Sequence, residues 1–506
     1  MYQGTSSNFI KELVIVGGGT SGWMAAVALS RVLNKSISIT LIESDEIGIV
    51  GVGEATVPPI RGFNQVAGID ENEFMRETQA SFKLGIEFVD WGRLGDRYIH
   101  AFGLPPSTGL DLDFSMIWTK LWLEQKVSDL DAYYLNRMAC KANKFLHIDS
   151  QSNDLSLGIF DYAYHFDAGL YAKYLRKLAE SRGVKRIEGI IETVEREPHQ
   201  GNIKSLRLTS GEIITGDFFI DCSGFRGLLI EQSLETGYED WSEWLPANRA
   251  IAVPCERSSD FTPYTRATAQ RVGWQWRIPL QHRTGNGIVY SSNYLSDDEA
   301  QSILLANLDG QPIAEPRQLQ YVTGKRRKIW NRNVLAVGLS SGFLEPLEST
   351  SIHLIQKTIG TFIRFFPDDH LDETDINIFN QEIDELFSNI RDFIILHYKL
   401  NQREDSAFWK HCAEMPIPEL LKEKIDLYQN DGLILNESRY MFAPSSWLQV
   451  MNGQNLRAQR VYPFSSRFSE EEMIEALDRI KQNISNYVDD LPLHADFIEQ
   501  YVKANV

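Results

Sequence analysis

The sequence predicts an α/β fold in which a parallel sheet binds a dinucleotide, followed by a mostly helical C-terminal lobe. Three observations lead to this prediction. A short apolar strand, ELVIV, runs into a glycine-rich turn and an alanine-rich helix. A second strand, SISITLIES, follows and reaches the acid Glu43 about 20 residues after Gly22. The final part of the chain contains long amphipathic runs such as INIFNQEIDELFSNIRDFIILHYKL.

The turn after the first strand has the pattern G-x-G-x-x-G at Gly17, Gly19 and Gly22. Gly17 suits a tight turn, Gly19 lets the backbone approach a pyrophosphate, and Gly22 lets the helix pack on the strand. The helix N-terminus then faces the phosphates. Glu43, at the end of the second strand, can accept hydrogen bonds from ribose hydroxyls. Strand, turn, helix and acid in this order predict a dinucleotide site.

Two later segments favour FAD over NAD. The strand in GEIITGDFFIDCSGFRG ends in DCSG, starting at Asp221, which resembles the D-x-x-G turn of FAD-dependent monooxygenase folds. The strand in RNVLAVG ends in Gly338, where such flavoproteins close the sheet around the flavin ribityl chain, although Leu339 replaces the usual aspartate. The segment TGNGIVYSS is interpreted as a β-turn between strands, so no second dinucleotide motif is evident. The predicted fold class is therefore the FAD-binding, glutathione reductase- or monooxygenase-like α/β fold.

Composition argues against several functional classes. The chain has 506 residues, 43% of them hydrophobic, which supports a large core, and a net charge of −19, which disfavours a nucleic-acid partner. None of the four cysteines forms a CxxC pair, so we expect buried thiols in a reducing compartment and no metal site. No signal peptide or membrane-length apolar run is evident. We expect a soluble, cytoplasmic protein.

A lysine stands in the apolar stretch SFKLGIEFVDW. Asp70 and Glu73 resemble a capping pair and Gly85 resembles a stop, so the pattern predicts a helix whose last turn holds Lys83. In that place the lysine is either a cation that complements the helix dipole or an amine buried in a pocket for chemistry.

Two tryptophans alternate in VGWQWRIPL, which predicts a strand with Trp274 and Trp276 on one face. Such a strand is also common in ordinary aromatic cores. However, this segment resembles the W-x-W-x-I-P signature of the flavin-dependent halogenases. Three further segments match motifs of that family in the family's order, namely GVGEATVP (51–58), FKLG (82–85) and FLEPLEST (343–350), the last typical of the tryptophan-halogenase branch.

The resemblance implies a two-component enzyme. Members take reduced FAD from a separate NAD(P)H-dependent flavin reductase and form hypohalous acid at the flavin from oxygen and a halide. This oxidant passes through a tunnel to a lysine, beside which an electron-rich aromatic ring is halogenated. The cofactor supplies the redox chemistry, and the protein supplies placement and electrostatics.

The resemblance also implies roles for individual residues. Lys83 becomes the catalytic lysine, which either hydrogen-bonds hypohalous acid or forms a haloamine. Glu348 becomes the carboxylate that stabilises the cationic ring and accepts its proton, although it could simply be an acid at a helix N-terminus. Glu345 is a less suitable substitute. Trp274 and Trp276, followed by Pro279, form the barrier that keeps substrate from the flavin.

Anion and cofactor sites follow in the same way. Backbone amides at Thr350 and Ser351 are expected to hold the halide at the start of a helix. Many members have glycine in place of Ser351, which leaves the preference for chloride or bromide open. The expected FAD contacts are Gly17, Gly19, Thr20, Ser21, Gly22, Glu43, Gly53, Glu54, Ala55, Gly338, Leu347 and Ile352.

On the substrate side, His100 and Phe102 have strand spacing and match a family His-x-Phe pair that stacks on indole. Phe442 and Trp447 are further candidates in YMFAPSSWLQVMNGQ. We do not find the Tyr-Tyr, glutamate and Phe-Trp set that holds the amino-acid part of free tryptophan. The expected substrate is therefore an indole or related aromatic without that clamp.

We expect residues 1–370 to form the FAD-binding body and residues 371–506 a helical lobe that caps the substrate site. A homodimer is a further expectation. Two alternatives remain at this stage, an FAD-dependent aromatic hydroxylase on the same scaffold and a flavin-binding protein without turnover.

Overall fold

The computed structural model describes residues 10–33, 35–46, 53–147, 156–199, 201–368, 370–436, 441–461, 463 and 467–504. Gly51 and Val52 of the GVGEATVP motif lie outside these ranges. The strands are β1 (Glu12–Val16), β2 (Ser38–Glu43), β3 (Gly53–Ala55), β4 (Ser81–Lys83), β5 (Gly85–Val89), β6 (Arg97–Ala101), β7 (Ala163–Asp167), β8 (Lys185–Glu188), β9 (Ile191–Arg196), β10 (Ile203–Leu208), β11 (Ile213–Thr215), β12 (Phe218–Asp221), β13 (Tyr238–Asp240), β14 (Arg249–Glu256), β15 (Thr265–Ala269), β16 (Trp274–Pro279), β17 (Arg283–Tyr290), β18 (Arg317–Gln320), β19 (Gly324–Arg326), β20 (Trp330–Asn331), β21 (Val334–Ala336) and β22 (Gly342–Phe343).

The helices of the same residues are α1 (Thr20–Val32), α2 (Pro59–Ala67), α3 (Glu71–Glu77), α4 (Phe114–Leu123), α5 (Leu135–Lys141), α6 (Ala168–Ser181), α7 (Asp297–Ala306), α8 (Ser351–Arg364), α9 (Glu373–Lys399), α10 (Ala407–Glu414), α11 (Glu419–Asp431), α12 (Pro444–Gly453), α13 (Glu470–Asp490) and α14 (His494–Tyr501).

A six-stranded sheet in the order β20-β21-β12-β1-β2-β8 forms the base of the molecule. β1 pairs in parallel with β2 on one side and with β12 on the other. The carboxyl ends of these strands therefore meet at one edge, which is where ligands bind in parallel sheets. Helix α1 starts at this edge, and its alanine-rich face is buried because small side chains let it pack closely against helix α6 and the sheet.

A second, seven-stranded sheet has the order β18-β14-β17-β16-β15-β5-β6. The tryptophan-bearing β16 runs antiparallel to both β15 and β17, and every residue of β16 is buried. β5 joins this sheet in parallel beside β15. This arrangement places β6 and its aromatic side chains at the edge of the sheet.

A small sheet in the order β3-β7-β4 links the GEA segment to the lysine-bearing strand. Both neighbours of β7 are antiparallel to it, and His165 of β7 lies opposite Ala55 on one side and Ser81 on the other. The two motifs are thereby hydrogen-bonded to opposite edges of one strand.

After β22, the described residues form helices α8 to α14. Their apolar faces belong to the same continuous core as β1 and α1, which extends from Ile10 to Val502. The division at residue 370 stays a prediction. No helix within the described residues is both long and apolar enough to cross a membrane.

Two secondary-structure predictions are wrong. Asp70 does cap a helix by accepting from the Glu73 amide at 2.8 Å, but α3 ends at Glu77, and Lys83 lies on strand β4 and not in a helical turn. The chain turns at Gln79, whose φ is +54°, before it enters the sheet. The segment TGNGIVYSS is also not a β-turn, because residues 284–290 belong to the central strand β17.

Candidate active site

The glycine turn has the tight geometry that the sequence predicted. Gly17 has φ +107°, and a Cβ there would lie 2.3 Å from the Cys222 carbonyl oxygen. A Cβ on Gly22 would lie 1.9 Å from the Gly17 carbonyl oxygen. Among the described residues, a Cβ on Gly19 would meet no atom within 4 Å, and no side chain caps the N-terminus of α1. The turn thus presents open backbone and free amide groups, which fits the pyrophosphate of a dinucleotide.

Glu43 already has protein partners. It accepts from Arg186 Nε at 2.5 Å and from Trp23 Nε1 at 3.3 Å. The carboxylate is close enough to the turn that a Cβ on Gly18 would lie 1.5 Å from its Oε2 atom. Gly338, with φ +76°, is adjacent to Ser21, since a Cβ there would lie 2.7 Å from the Ser21 Cβ. The structure therefore brings Glu43, Ser21 and Gly338 to the same edge as the glycine turn.

The Lys83 side chain is fully buried. Its Nζ atom donates to the Thr56 carbonyl oxygen at 2.9 Å and to Ser349 Oγ at 2.7 Å. The amine also lies 5.2 Å from the Phe102 ring centroid. Burial lowers the pKa of Lys83 to about 7, against the opposing effect of Glu348. This lysine is not the exposed cation of a helix end but an amine held between two motifs.

The Glu348 carboxylate is buried between two histidines. His100 Nδ1 lies 2.9 Å from Oε2, and His397 Nε2 lies 2.7 Å from Oε1. Burial raises the pKa of Glu348, but the charges and hydrogen bonds of the two histidines outweigh this and lower it to about 2. The carboxylate therefore stays ionised across the physiological pH range.

The tautomer of His397 is fixed by its two hydrogen-bond partners. Tyr98 Oη lies 3.0 Å from His397 Nδ1, and Gln454 Nε2 donates to Tyr98 Oη at 3.3 Å. Because the ionised Glu348 carboxylate can only accept, the His397 proton resides on Nε2 and points at Glu348, and in the neutral ring Nδ1 then accepts from the Tyr98 hydroxyl. Burial lowers the pKa of His397, with Glu348 opposing, which favours this neutral donor.

The two tryptophans of β16 are buried next to each other. Their ring centroids are 6.1 Å apart at an interplanar angle of 59°. Trp276 occupies the space that Gly287 leaves empty, since a Cβ on Gly287 would lie 2.0 Å from its ring. The Pro279 carbonyl at the end of the strand accepts from Ser81 Oγ at 2.6 Å, which ties β16 to β4.

Residues 100–102 contact both catalytic candidates, Glu348 and Lys83. His100 contacts Glu348, and Phe102 lies beside Lys83. His100 also lies 6.3 Å from the Phe442 ring, and Phe442 stacks on Phe393 of α9 at 3.8 Å. Trp447 packs edge-on against the same Phe393 ring at 5.0 Å. The structure therefore brings His100, Phe442 and Trp447 together around Phe393, and it places Phe102 beside Lys83.

The start of α8 has the features of an anion site. Thr350 is buried, with its Oγ1 unpartnered among the described residues, and Ser351 begins the helix, which has no side-chain cap. Ser349 has φ +59°, a left-handed conformation that non-glycine residues rarely adopt. This turn aims the Ser349 hydroxyl at Lys83, and no side chain of the described residues caps the helix that follows.

Several contacts were missed by sequence reasoning, namely Thr56, Tyr98, Ser349, Phe393, His397 and Tyr398. Four of them are supplied by β6 and α9, where nothing in the sequence separates a buried site residue from an ordinary core residue. Thr56 and Ser349 lie inside motifs that were noted, but their contacts to Lys83 depend on tertiary structure.

Comparison with known proteins places this site in a family. The sequence model described as "Tryptophan halogenase" matches residues 12–470. Tryptophan 7-halogenase RebH of Lentzea aerocolonigenes is 33% identical over 98% of this chain and 99% of its own. The chain belongs to the tryptophan halogenase family. This halogenase is also similar to two solved flavin-dependent halogenases. Xcc4156 from Xanthomonas campestris is 44% identical with a TM-score of 0.95, and the match covers 98% of this chain and 99% of that one. BrvH from Brevundimonas sp. BAL3 is 41% identical with a TM-score of 0.92, and the match covers 97% of this chain and 99% of that one.

The family settles the type of enzyme. This halogenase is flavin-dependent, and enzymes of its kind require a halide and an aromatic substrate and use a separate flavin reductase. The family resemblance inferred from the four motifs is thus confirmed, as is the halogenase fold with its mixed α/β sheets and helices.

Proposed function

We propose that this halogenase transfers chlorine or bromine to an electron-rich aromatic ring, with an indole as substrate, and that Lys83 and Glu348 are its catalytic residues. The observation that carries the proposal is that Ser349 links the two residues. This residue follows Glu348 directly in the chain and accepts a hydrogen bond from Lys83. A buried amine and a buried carboxylate therefore meet at the segment of chain that carries His100 and Phe102.

FAD would contact the glycine turn, Thr20, Ser21, Glu43, β3 with Gly53, Glu54 and Ala55, and the Gly338, Leu347 and Ile352 positions. Bound in its reduced form, it would supply hypohalous acid from oxygen and a halide held at the Thr350 and Ser351 amides. Burial raises the pKa of Glu54 to about 7, which favours a neutral carboxyl group at this position.

The chain's own residues would then direct the halogen. Lys83 either orients hypohalous acid through the N–H groups of its ammonium form or carries the halogen as a haloamine formed from its neutral amine. A lysine pKa of about 7 makes both forms available near neutral pH. Glu348 stabilises the cationic ring and accepts its proton, since its ionised form is held by His100 and His397. Trp274, Trp276 and Pro279 keep the ring away from the oxidant's source.

The substrate is expected to be an indole without the amino-acid clamp of free tryptophan. The support is the apolar surround of His100, in which Phe393, Phe442 and Trp447 pack on one another. Flat aromatic faces of this kind favour a flat, electron-rich ring. The homodimer and the cytoplasmic location stay predictions.

The proposal is tested by incubating the protein with a flavin reductase, NADH, FAD, oxygen and bromide. A panel of indoles, phenols and pyrroles is then scanned by mass spectrometry for a bromine isotope pattern. We expect brominated indole from the wild type and none from Lys83→Ala, whereas the exposed control Lys204→Ala keeps full activity. Hydroxylated product formed without halide and retained in Lys83→Ala would support the hydroxylase alternative. Flavin binding without any product would support the alternative without turnover.

A further inference from the structure

A second glutamate of the FLEPLEST segment, Glu345, is buried without a cationic partner among the described residues. Its side chain is fully buried. Oε2 accepts from Trp274 Nε1 at 3.0 Å and from Tyr398 Oη at 2.6 Å. Oε1 has no hydrogen-bond partner among the described residues. Burying a carboxyl group on neutral donors costs stability, so its presence calls for a role other than stabilising the fold.

The surroundings of Glu345 raise its pKa. The charge of Glu345 contributes to the raised pKa of three titratable neighbours, Tyr398 of α9, Cys412 of α10 and Tyr321, which follows β18. None of these is a cation. Burial raises the pKa of Glu345 to about 7, against the two hydrogen bonds from Tyr398 and Trp274. This places Glu345 in a different electrostatic setting from Glu348, which has two histidine donors.

Two consecutive residues of α9 hold the two glutamates. His397 contacts Glu348, and Tyr398 contacts Glu345. Through Glu345, the same turn of α9 is connected to the indole N–H of Trp274. The FLEPLEST segment and the last turns of α9 therefore fix the position of Trp274 in the barrier relative to the proposed proton acceptor Glu348.

Trp274 depends on this contact for its orientation. Its ring lies between Trp276 at 6.1 Å and Trp91 at 6.4 Å, and both of these contacts are tilted ring contacts with no directional bond. The indole N–H is the single hydrogen-bond donor of a tryptophan side chain, and in Trp274 it donates to Glu345.

We propose that Glu345 is a positioning residue that fixes the Trp274 indole in the barrier, with Tyr398 holding Glu345 in place, and that this contact sets the fidelity of the reaction. The inference rests on the proposed function, because fidelity here means the share of reduced flavin that ends in halogenated product. When the indole is free to rotate, the barrier opens, and more oxidising equivalents end in hydroxylated substrate or hydrogen peroxide.

The test uses Glu345→Leu, Glu345→Gln and Tyr398→Phe in the full-length enzyme loaded with FAD. Losing one buried hydrogen bond changes the population of a rotamer about fivefold. We therefore expect Glu345→Leu and Tyr398→Phe to raise the ratio of hydroxylated product plus peroxide to halogenated product about fivefold. Glu345→Gln keeps an acceptor oxygen and should restore the ratio to near the wild-type value. Tyr174→Phe, which removes a tyrosine–glutamate bond of 3.2 Å to Glu73 elsewhere, is the matched control.

A second readout does not depend on turnover. The ultraviolet resonance Raman signal of the indole N–H, assigned by subtracting Trp274→Phe, should report a lost hydrogen bond in Glu345→Leu and a retained one in Glu345→Gln. An unchanged N–H signal in Glu345→Leu, or an unchanged product ratio with the bond lost, would overturn the inference. If Glu345→Leu does not fold, Tyr398→Phe, in which Glu345 loses the hydrogen bond that holds it, carries both readouts, with a weakened indole N–H hydrogen bond as the expected result. Absence of halogenated product from the wild type would instead count against the proposed function.

Discussion

Replacing Lys83 by methionine should make the enzyme inactive but more stable at neutral pH. In the folded chain the amine has a pKa of about 7, compared with 10.5 for an ordinary lysine. This difference corresponds to about 4–5 kcal/mol of destabilisation when the unfolded chain carries a protonated lysine. Methionine keeps the apolar stem beside Phe102 and loses two hydrogen bonds worth about 1 kcal/mol each. The expected net gain is about 2–3 kcal/mol at pH 7.

The sign of the pH dependence follows from the lowered pKa. The loss of unfolding free energy caused by Lys83 is fully present below pH 7, because there the buried lysine of the folded chain is protonated as well. Between pH 7 and 10.5 the unfolded state binds more protons than the folded state, so the wild type gains stability as the pH rises. At pH 9 the destabilisation of the wild type by Lys83 has fallen to about 2 kcal/mol. The methionine variant loses about the same amount with its two hydrogen bonds, so the two proteins should be equally stable at pH 9.

The assay is urea unfolding followed by tryptophan fluorescence at pH 7 and pH 9, with the exposed substitution Lys204→Met as control. Bromination of indole is measured in parallel. A variant less stable than the wild type at pH 7, or a stability difference that grows from pH 7 to pH 9, would refute the reasoning. Retained bromination would refute the catalytic assignment of Lys83 independently.

Three further predictions can be checked directly. Glu348→Gln should lower kcat by about 10²-fold, measured by product formation, and equally at pH 6 and pH 9 because the pKa of Glu348 is about 2. Gly22→Ala should weaken FAD binding in a fluorescence titration, since its Cβ would lie 1.9 Å from the Gly17 carbonyl oxygen. Gly62→Ala, whose Cβ would meet no atom of the described residues within 4 Å, should leave FAD binding unchanged. The ratio kcat/KM should be higher for indole than for free tryptophan, and a clear preference for tryptophan would contradict the expected lack of an amino-acid clamp.

The nucleotide-binding end of the fold could be predicted from sequence because its signals are local. Gly17 and Gly19 lie in the turn between β1 and α1, and Gly22 lies in the first turn of α1, so the whole motif spans six consecutive residues. The two indoles of β16 were equally predictable, since alternation along a strand fixes the face on which each side chain lies.

Lys83 was placed in the wrong element because its strand exists only through a distant partner. β4 pairs with β7, and the pair Ser81–His165 is separated by 84 residues in the chain. The local sequence pattern favoured a helix that continues to Lys83, whereas the pairing of β4 with β7 places this residue in a strand. Similarly, the glycines of TGNG do not make a turn. Gly285 lets β17 approach Gly53, and Gly287 makes room for the Trp276 indole.

His397 and Tyr398 were not predictable from sequence. Most of the C-terminal half of α9 is buried, so two polar aromatic residues there resemble ordinary core positions. Their partners Glu348 and Glu345 are 49 and 53 residues away in the chain. Only the packing of α9 against the FLEPLEST segment reveals that they belong to the site.

The position of β7 has a consequence for engineering this enzyme. One edge of β7 pairs with β3, whose residues are expected FAD contacts, and the other edge pairs with the strand that carries Lys83. Under the proposed function, the pairing with β7 thus sets the relative positions of the strand expected to contact FAD and the strand that carries the proposed catalytic lysine. Chimeras with relatives should therefore exchange residues 53–55, 81–83 and 163–167 as one block, because exchanging only one of the three would change these relative positions.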